Sequence, residues 1–497
     1  MKWANFLHIY QPAGQDPDIL GAVTHQSYRP ILKEMLKHTN VRLTFNISGA
    51  LFEVFEKYGH SDIIDMIQEL VKQGRLEITG SAKFHALLPL LHEDEIVRQI
   101  EANTATLRHY LGADYNPSGF FPPEMAYSSK VGAVISRLGF KWIILDEISF
   151  NGKTDQLTFD GVHKLKGTEV KVVFRERRLS NLIMSAMVRS GQSLIDTLGE
   201  EFNKNRYLLT AMDGETFGHH RPGLEKLLFE IFDSPQFELV KISDLIKDFP
   251  VKDEVDPLPA TWASSEADIE RQVQFLSWSD PDNPIHTSQW ELVHTAEKAV
   301  YEMDHTHPEY NEIRLRLDEA LASDQFWWAS AKPWWSLEEI ERGTYLNLSI
   351  VRDVPNINLE VKNKAVFLYE QIISTAFQWK RSGKIYRLME AQKNSVRIPF
   401  RERTLEKGGA EKGVYEAFMA MFEELKQKAI KDEEYEKAIL WRDAIYKIET
   451  KNDIYDTIHA IDLLRLKIPY FEIEKTLDKY TKKYKNIRGG QPEQRGS

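Results

Sequence analysis

The first 250 residues alternate short apolar runs with amphipathic stretches. Runs rich in β-branched and aromatic residues predict strands at WANFLHIY (3–10), VRLTFNI (41–47), RLEITG (75–80), SGFFP (118–122), KWIILD (141–146), VKVVFR (170–175) and YLLTAM (207–212). Between most of them, apolar positions recur at helical spacing. This predicts helices over 28–38, 61–73, 93–111, 129–138, 191–204 and 222–233, several opened by Ser, Pro or an acidic residue. Such alternation implies parallel strands joined by helical crossovers, an α/β fold that is either an open doubly wound sheet or a closed barrel. Seven strands in about 250 residues suit a barrel in size.

From about 255 to 360 the pattern changes. A loop bearing Pro and Trp leads into long helical runs without strands, which predicts a helical domain packed on the first. Further on, Phe422, Leu425, Ala429, Tyr435, Ala438, Ile439, Arg442 and Ile445 fall at helical spacing with a break at Asp432, predicting a two-helix hairpin over 418–449. The final GGQPEQRGS reads as an unfolded tail. The expected organisation is a catalytic domain over 1–255, a helical domain over 256–400 that completes the active site, a hairpin over 415–450 and a disordered tail over 486–497.

Polar residues gather at one end of the predicted strands. His8 and Gln11 follow the first, Asn46 ends the second, His85 lies beyond the third and Glu124 beyond the fourth. Asp146 and Glu147 end the fifth, Arg175 the sixth, and Asp213 and Glu215 follow the seventh. In parallel α/β architectures the loops at the C-terminal strand ends surround one mouth, where ligands bind.

Composition narrows the chemistry. A net charge of −11 argues against a phosphate backbone as principal partner, since nucleic-acid binding relies on clustered Lys and Arg. No apolar run approaches a membrane span, so no membrane association is expected. The absence of cysteine removes disulfides, thiolate metal sites and cysteine nucleophiles. The N-terminal MKWANFLHIYQP lacks a signal peptide's long apolar core, so the default compartment is the cytoplasm. Aromatic residues make up 11% of the chain, and several of the eleven Trp stand in polar, Pro-containing segments: PATWASSE, SWSDPDNP with Trp278, and ASDQFWWASAKPWW with Trp327 beside Asp324. Aromatic faces there suit stacking against sugar rings.

Glu124 and Asp213, from different strand ends, are the minimal apparatus for cleaving a glycosidic bond with retention, one as nucleophile and the other as acid and then base. This needs no metal or cofactor. Two prolines precede Glu124 and restrict its approach. Gly214 between Asp213 and Glu215 is expected to allow a sharp turn. Paired acids also occur in metal sites. His219 and His220 are adjacent rather than at a ligand spacing, and neither HxxxH nor HExxH appears near the strand ends. A metal-dependent polysaccharide deacetylase is the alternative from that class.

Four segments carry a resemblance. HIYQP, EITGSAKFHALLPLL (77–91), GFFPPEMAYS (119–128) and MDGETFGHH, in that order, resemble successive motifs of the family 57 glycoside hydrolases, and ASDQFWWA resembles a fifth. The resemblance covers roughly residues 3–335. It implies an incomplete seven-stranded (β/α) barrel followed by a helical bundle, acting on α-glucans or related α-glycosides with retention, without a cofactor. It further implies Glu124 as nucleophile, Asp213 as acid/base, and His8, Gln11, His85, Glu215, His220 and Asp324 as sugar contacts. FRERRLSN (174–181) resembles a segment of the amylase-like branch, with Arg175 near the mouth. Many members carry His where this chain has Tyr10, some have Glu at the position of His85, and many have Trp at that of His220. These departures bear on the subfamily: a 4-α-glucanotransferase or branching enzyme on the same site, or a carbohydrate-binding scaffold without turnover, are the alternatives. A second resemblance, of FEELKQKAIKDEEYEKAILWRDAI (422–445) to the UVR motif, implies self-association or a protein partner through 418–449.

Overall fold

The computed structural model describes residues 1–332, 334–396 and 412–450, with scattered positions between 464 and 479. The chain is mixed α/β and divides into two compact units: Met1–His219 with Glu225–Met389, and His220–Leu224 with Glu390–Ser497.

Among its described residues the first unit holds ten strands: β1 Lys2–Ile9, β2 Leu43–Ile47, β3 Leu76–Ile78, β4 Gly119–Phe120, β5 Trp142–Asp146, β6 Val162–Leu165, β7 Lys171–Arg175, β8 Tyr207–Asp213, β9 Glu238–Leu239 and β10 Val251–Val255. One sheet runs β3-β2-β1-β8, with β9 also paired to β1; the other runs β10-β6-β7-β5-β4. Among the described residues the pairings within them are parallel except that of β6 with β7. The sheets also touch each other. Gly80 bridges to Phe120 in parallel, and the Glu176 N–H donates to the Leu209 carbonyl at 2.8 Å.

The seven predicted strands are all present. β2 and β5 are buried at every position, and β1 and β8 at all but one, as expected of parallel strands covered on both faces. Gly119 in β4 is required by space, because a Cβ there would lie 2.0 Å from the Trp142 ring. Strict alternation does not hold throughout: β6 enters antiparallel before β7, and β10 pairs beside it. β10 (VKDEV) is exposed over four of its five residues, so its polar sequence gives no apolar run to read.

Helix termini follow their charges and caps. Helix Glu93–Leu111 opens on Glu93, Asp94 and Glu95 and closes with Arg108 and His109, each set offsetting the macrodipole. Asn283 caps helix Pro284–Tyr301, its Oδ1 accepting from the Ile285 N–H at 3.0 Å. That helix packs with Tyr310–Ala320, Leu337–Asp353 and Leu359–Arg381, and their apolar faces share one continuous core with the strands.

In the second unit, helices Lys412–Lys431 and Tyr435–Thr450 pack together, with the Phe422 and Trp441 rings 6.0 Å apart. The inner face differs in part from the predicted one. Phe422, Ala429 and Ala438 are buried, but so are Trp441, Ala444 and Ile448, whereas Tyr435 and Ile439 are exposed. The tail expected over 486–497 lies outside the described residues. Among the described residues no helix is long and apolar enough to cross a membrane.

Candidate active site

The C-terminal ends of β1, β2, β3, β4 and β8 bring together side chains far apart in sequence. Pairing of β1 with β8 sets His8 opposite Asp213, and pairing with β2 sets it opposite Asn46. Asn46 Nδ2 donates to Thr79 Oγ1 at 3.2 Å, which leaves its Oδ1 to accept from His8 Nδ1 at 2.9 Å. With that tautomer, His8 Nε2 accepts from His85 Nε2 at 3.1 Å, and His85 Nδ1 accepts from the Ser323 hydroxyl at 3.1 Å. Burial lowers the His8 pKa to about 4 and holds His85 well below the usual range. Both rings are therefore neutral at working pH and are held as directed donors and acceptors.

Glu124 sits in a single 3₁₀ turn, Pro123–Met125, after β4. Its φ of 61° is left-handed, as are those of Met125 (49°) and His85 (56°). Left-handed backbone is strained for residues with a Cβ, and such strain clusters at functional sites. Trp262 holds the turn twice: its N–H donates to the Glu124 carbonyl at 3.2 Å, and its Nε1 donates to Glu124 Oε2 at 2.7 Å. Glu124 Oε1 lies 3.8 Å from His85 Nε2. The prolines bring the chain in extended, with Pro122 at ψ 131°, but the final turn is made by Glu124 itself.

Burial, then the charge of Asp213, pushes Glu124 up to about 8, although the Trp262 bond opposes this. Burial pushes Asp213 up to about 6, with Arg175 opposing. Glu215, pushed up to about 7 by burial and by Asp213, accepts from Gln11 Nε2 at 3.1 Å and from the Tyr28 hydroxyl. The chain turns at Gly214 as expected, into the 3₁₀ turn Gly214–Thr216, though without a left-handed φ. A Cβ there would meet Ile9 Cδ1 at 2.2 Å, so the Ile9 side chain would have to shift to admit one.

Arg175, 2% exposed, ends β7. It pairs with Asp146 at 3.2 Å, donates to Asn181 Oδ1 at 2.7 Å and lies over the Trp262 ring. Asp146 also meets Arg177 at 3.3 Å, so two guanidiniums share one fully buried carboxylate. The Arg177 N–H donates to Glu147 Oε1 at 3.0 Å.

Residues beyond 260 close over this group. The Ser323 N–H donates to the His85 carbonyl at 3.2 Å, and Tyr10 donates to Asp324 Oδ2 at 2.7 Å while stacking on His85 at 4.0 Å. Trp327 is half-buried and stacks on Trp334, 4.8 Å between centroids. One predicted site residue lies elsewhere. Trp278 is 1% exposed within the core, with no face open to a sugar. His220 is exposed and belongs to the second unit. Trp262, Tyr10, Tyr28 and Ser323 are the members that strand-end reasoning does not select. Trp262 carries a signal as an aromatic residue in the polar segment PATWASSE, and Tyr10 and Ser323 lie within the motifs HIYQP and ASDQFWWA.

The model for glycosyl hydrolase family 57 matches residues 4–257. An alpha-amylase of Pyrococcus horikoshii is 26% identical over 236 residues, covering 46% of this chain and 36% of that protein. A 4-alpha-glucanotransferase of Thermococcus kodakarensis is 25% identical over 236 residues, covering 46% and 35%. The chain thus spans about a third of these relatives' own lengths. The crystal structure of a GH57-type branching enzyme from Pyrococcus horikoshii superposes with a TM-score of 0.57 at 16% identity, covering 76% of this chain and 96% of that one, a likeness of fold.

Proposed function

Because the chain belongs to glycosyl hydrolase family 57, we propose that it is a retaining α-glycosidase acting on α-1,4-linked glucans or maltooligosaccharides. The single observation that carries this reading is the pair of half-buried carboxyls, Glu124 and Asp213, from different strand ends, with Asp213's charge raising Glu124. The same reading takes β1, β2, β3, β4, β5, β7 and β8 as an incomplete (β/α)7 barrel. The Gly80–Phe120 bridge and the bond from Glu176 to Leu209 support it.

Glu124 attacks the anomeric carbon while Asp213 gives its proton to the departing glycosidic oxygen, leaving a glycosyl-enzyme ester. Asp213 then takes a proton from water as the water attacks that carbon and releases Glu124. If a sugar hydroxyl replaces the water, the same steps transfer the glycosyl group.

Near neutral pH the pair holds one proton. With values of about 8 and about 6 that proton rests on Glu124 in the free protein, the reverse of what the attack needs. Substrate inverts the order. A glycosidic oxygen accepts a hydrogen bond from Asp213 only when Asp213 is protonated, and the Trp262 N–H favours Glu124 as the carboxylate. Neutral His8 and His85, Gln11, Asp324 and Glu215 would bind sugar hydroxyls, and Trp327 would stack on a ring.

Wild type, Glu124→Gln and Asp213→Asn incubated with maltoheptaose, with and without EDTA, test this by product length. Wild type is expected to shorten the substrate regardless of EDTA, and Glu124→Gln to lose about 10³-fold or more in kcat. Longer products beside shorter ones would identify transfer. Unchanged turnover in Glu124→Gln would overturn the assignment.

A further inference from the structure

The helical part of the first unit holds a cluster that the proposed chemistry does not use. His294 and Glu297 lie three residues apart on helix Pro284–Tyr301 and so share a face. His92 comes from far away in the chain, at the N-cap of helix Glu93–Leu111. One ligand-type atom of each lies within 4.8 Å of the other two. Among the described residues this is the one group of three or more His, Asp or Glu side chains with that spacing.

Two features set the cluster apart from an ordinary solvated surface. N-caps favour Ser, Thr, Asp and Asn, whose short side chains accept from the helix N–H groups. His92 makes no capping bond, and its ring stands edge-on to that of His294 with centroids 6.2 Å apart. Glu297 is 2% exposed. Its Oε2 lies 2.9 Å from His294 Nδ1, while its Oε1 is buried with no hydrogen-bond partner among the described residues. A buried carboxylate oxygen without a donor is unfavourable, and a bound cation is one group that satisfies it.

We propose that His92, His294 and Glu297 form a divalent transition-metal site, zinc being the ion whose chemistry fits best. Two imidazoles and one carboxylate are the donor set of borderline ions, whereas magnesium and calcium favour oxygen ligands alone. Tetrahedral ligands about 2.1 Å from zinc stand about 3.4 Å apart. His294, half-exposed, already lies against Glu297, and His92 is exposed, so a small inward rotation of the rings would bring the donors to that spacing. Three protein ligands leave one position open to water. His294 also borders a cavity of about 1080 Å³, shared with Leu90, Trp290 and Lys298, which gives that position a path to solvent. The acidic first turn of helix Glu93–Leu111 offsets the positive helix end that a cation would otherwise meet.

Such an ion would tie helix Pro284–Tyr301 to the chain seven residues beyond His85, clamping the helical part onto the segment that shapes the mouth. Its role is stability rather than the glycosidic chemistry, so this inference stands apart from the proposed function. The full chain, stripped with EDTA and dialysed against Zn²⁺, should retain one ion per chain by elemental analysis, with a melting temperature several degrees above the stripped form. In the double variant His92→Ala/His294→Ala, both the ion and the shift should disappear. Glu297→Gln, which keeps the shape of the side chain, should weaken binding at least tenfold. Circular dichroism at low temperature shows whether each variant is folded. No retained zinc in wild type, or equal zinc in wild type and the double variant, would overturn the proposal.

Discussion

Glu124 adopts a conformation that costs a non-glycine residue about 1–3 kcal/mol, and Met125 and His85 beside it do the same. Trp262 holds this geometry through backbone and side chain at once, and its Nε1 is the hydrogen-bond donor that acts on the carboxylate itself. A hydrogen bond to a charged group is worth about 1.5–3 kcal/mol. Trp262→Phe should therefore lower kcat by about 10- to 100-fold while the fold persists. The reactive form carries one proton on the pair, so kcat/KM should rise as pH passes about 6, where the first carboxyl ionises. It should fall as pH passes about 8, where the last proton leaves. In Trp262→Phe the loss of the opposing bond raises Glu124 further, moving the alkaline limb upward. A profile flat from pH 5 to 9 would contradict this account.

At the scale of elements, the close contact of β4 with β5 is the least forgiving. A Cβ on Gly119 would overlap the Trp142 ring, whose indole donates to Ser243 at 2.9 Å and cannot swing aside without losing that bond. Gly119→Ala should destabilise the protein by about 1–3 kcal/mol, measured as a lower denaturant midpoint. The main strands were legible because strands buried on both faces write themselves as unbroken apolar runs. β6, β9 and β10 were not. They are short or exposed, and their residues mix Lys, His, Asp and Glu with the apolar ones. The hairpin helices were found at the right place, but their inner face was misread, because Tyr435 and Ile439 fit the helical period and yet stay exposed. Periodicity fixes a face only to within one side chain when both sides of a helix carry apolar residues.

At the scale of the molecule, the site is assembled from chain ends of contact that no local pattern reveals. Strand ends named Glu124, Asp213, His8, His85 and Arg175 because parallel topology sends them to one edge. The clasp of Trp262 on Glu124, of Ser323 on His85 and of Asp324 on Tyr10 spans 138, 238 and 314 residues. Trp278 was misread for the complementary reason: a Trp in a polar segment still fills the core when helices fold over it. We propose that Glu124 forms a covalent bond to the sugar while Asp213 handles the proton. This is tested most directly by incubating the protein with 5-fluoro-α-maltosyl fluoride, which forms the glycosyl-enzyme faster than water removes it, followed by intact mass and peptide mapping. One fluorinated glycosyl group on Glu124, absent in Glu124→Gln, is the predicted result. An adduct on another residue, or turnover that releases the β-anomer first with no adduct at all, would contradict it.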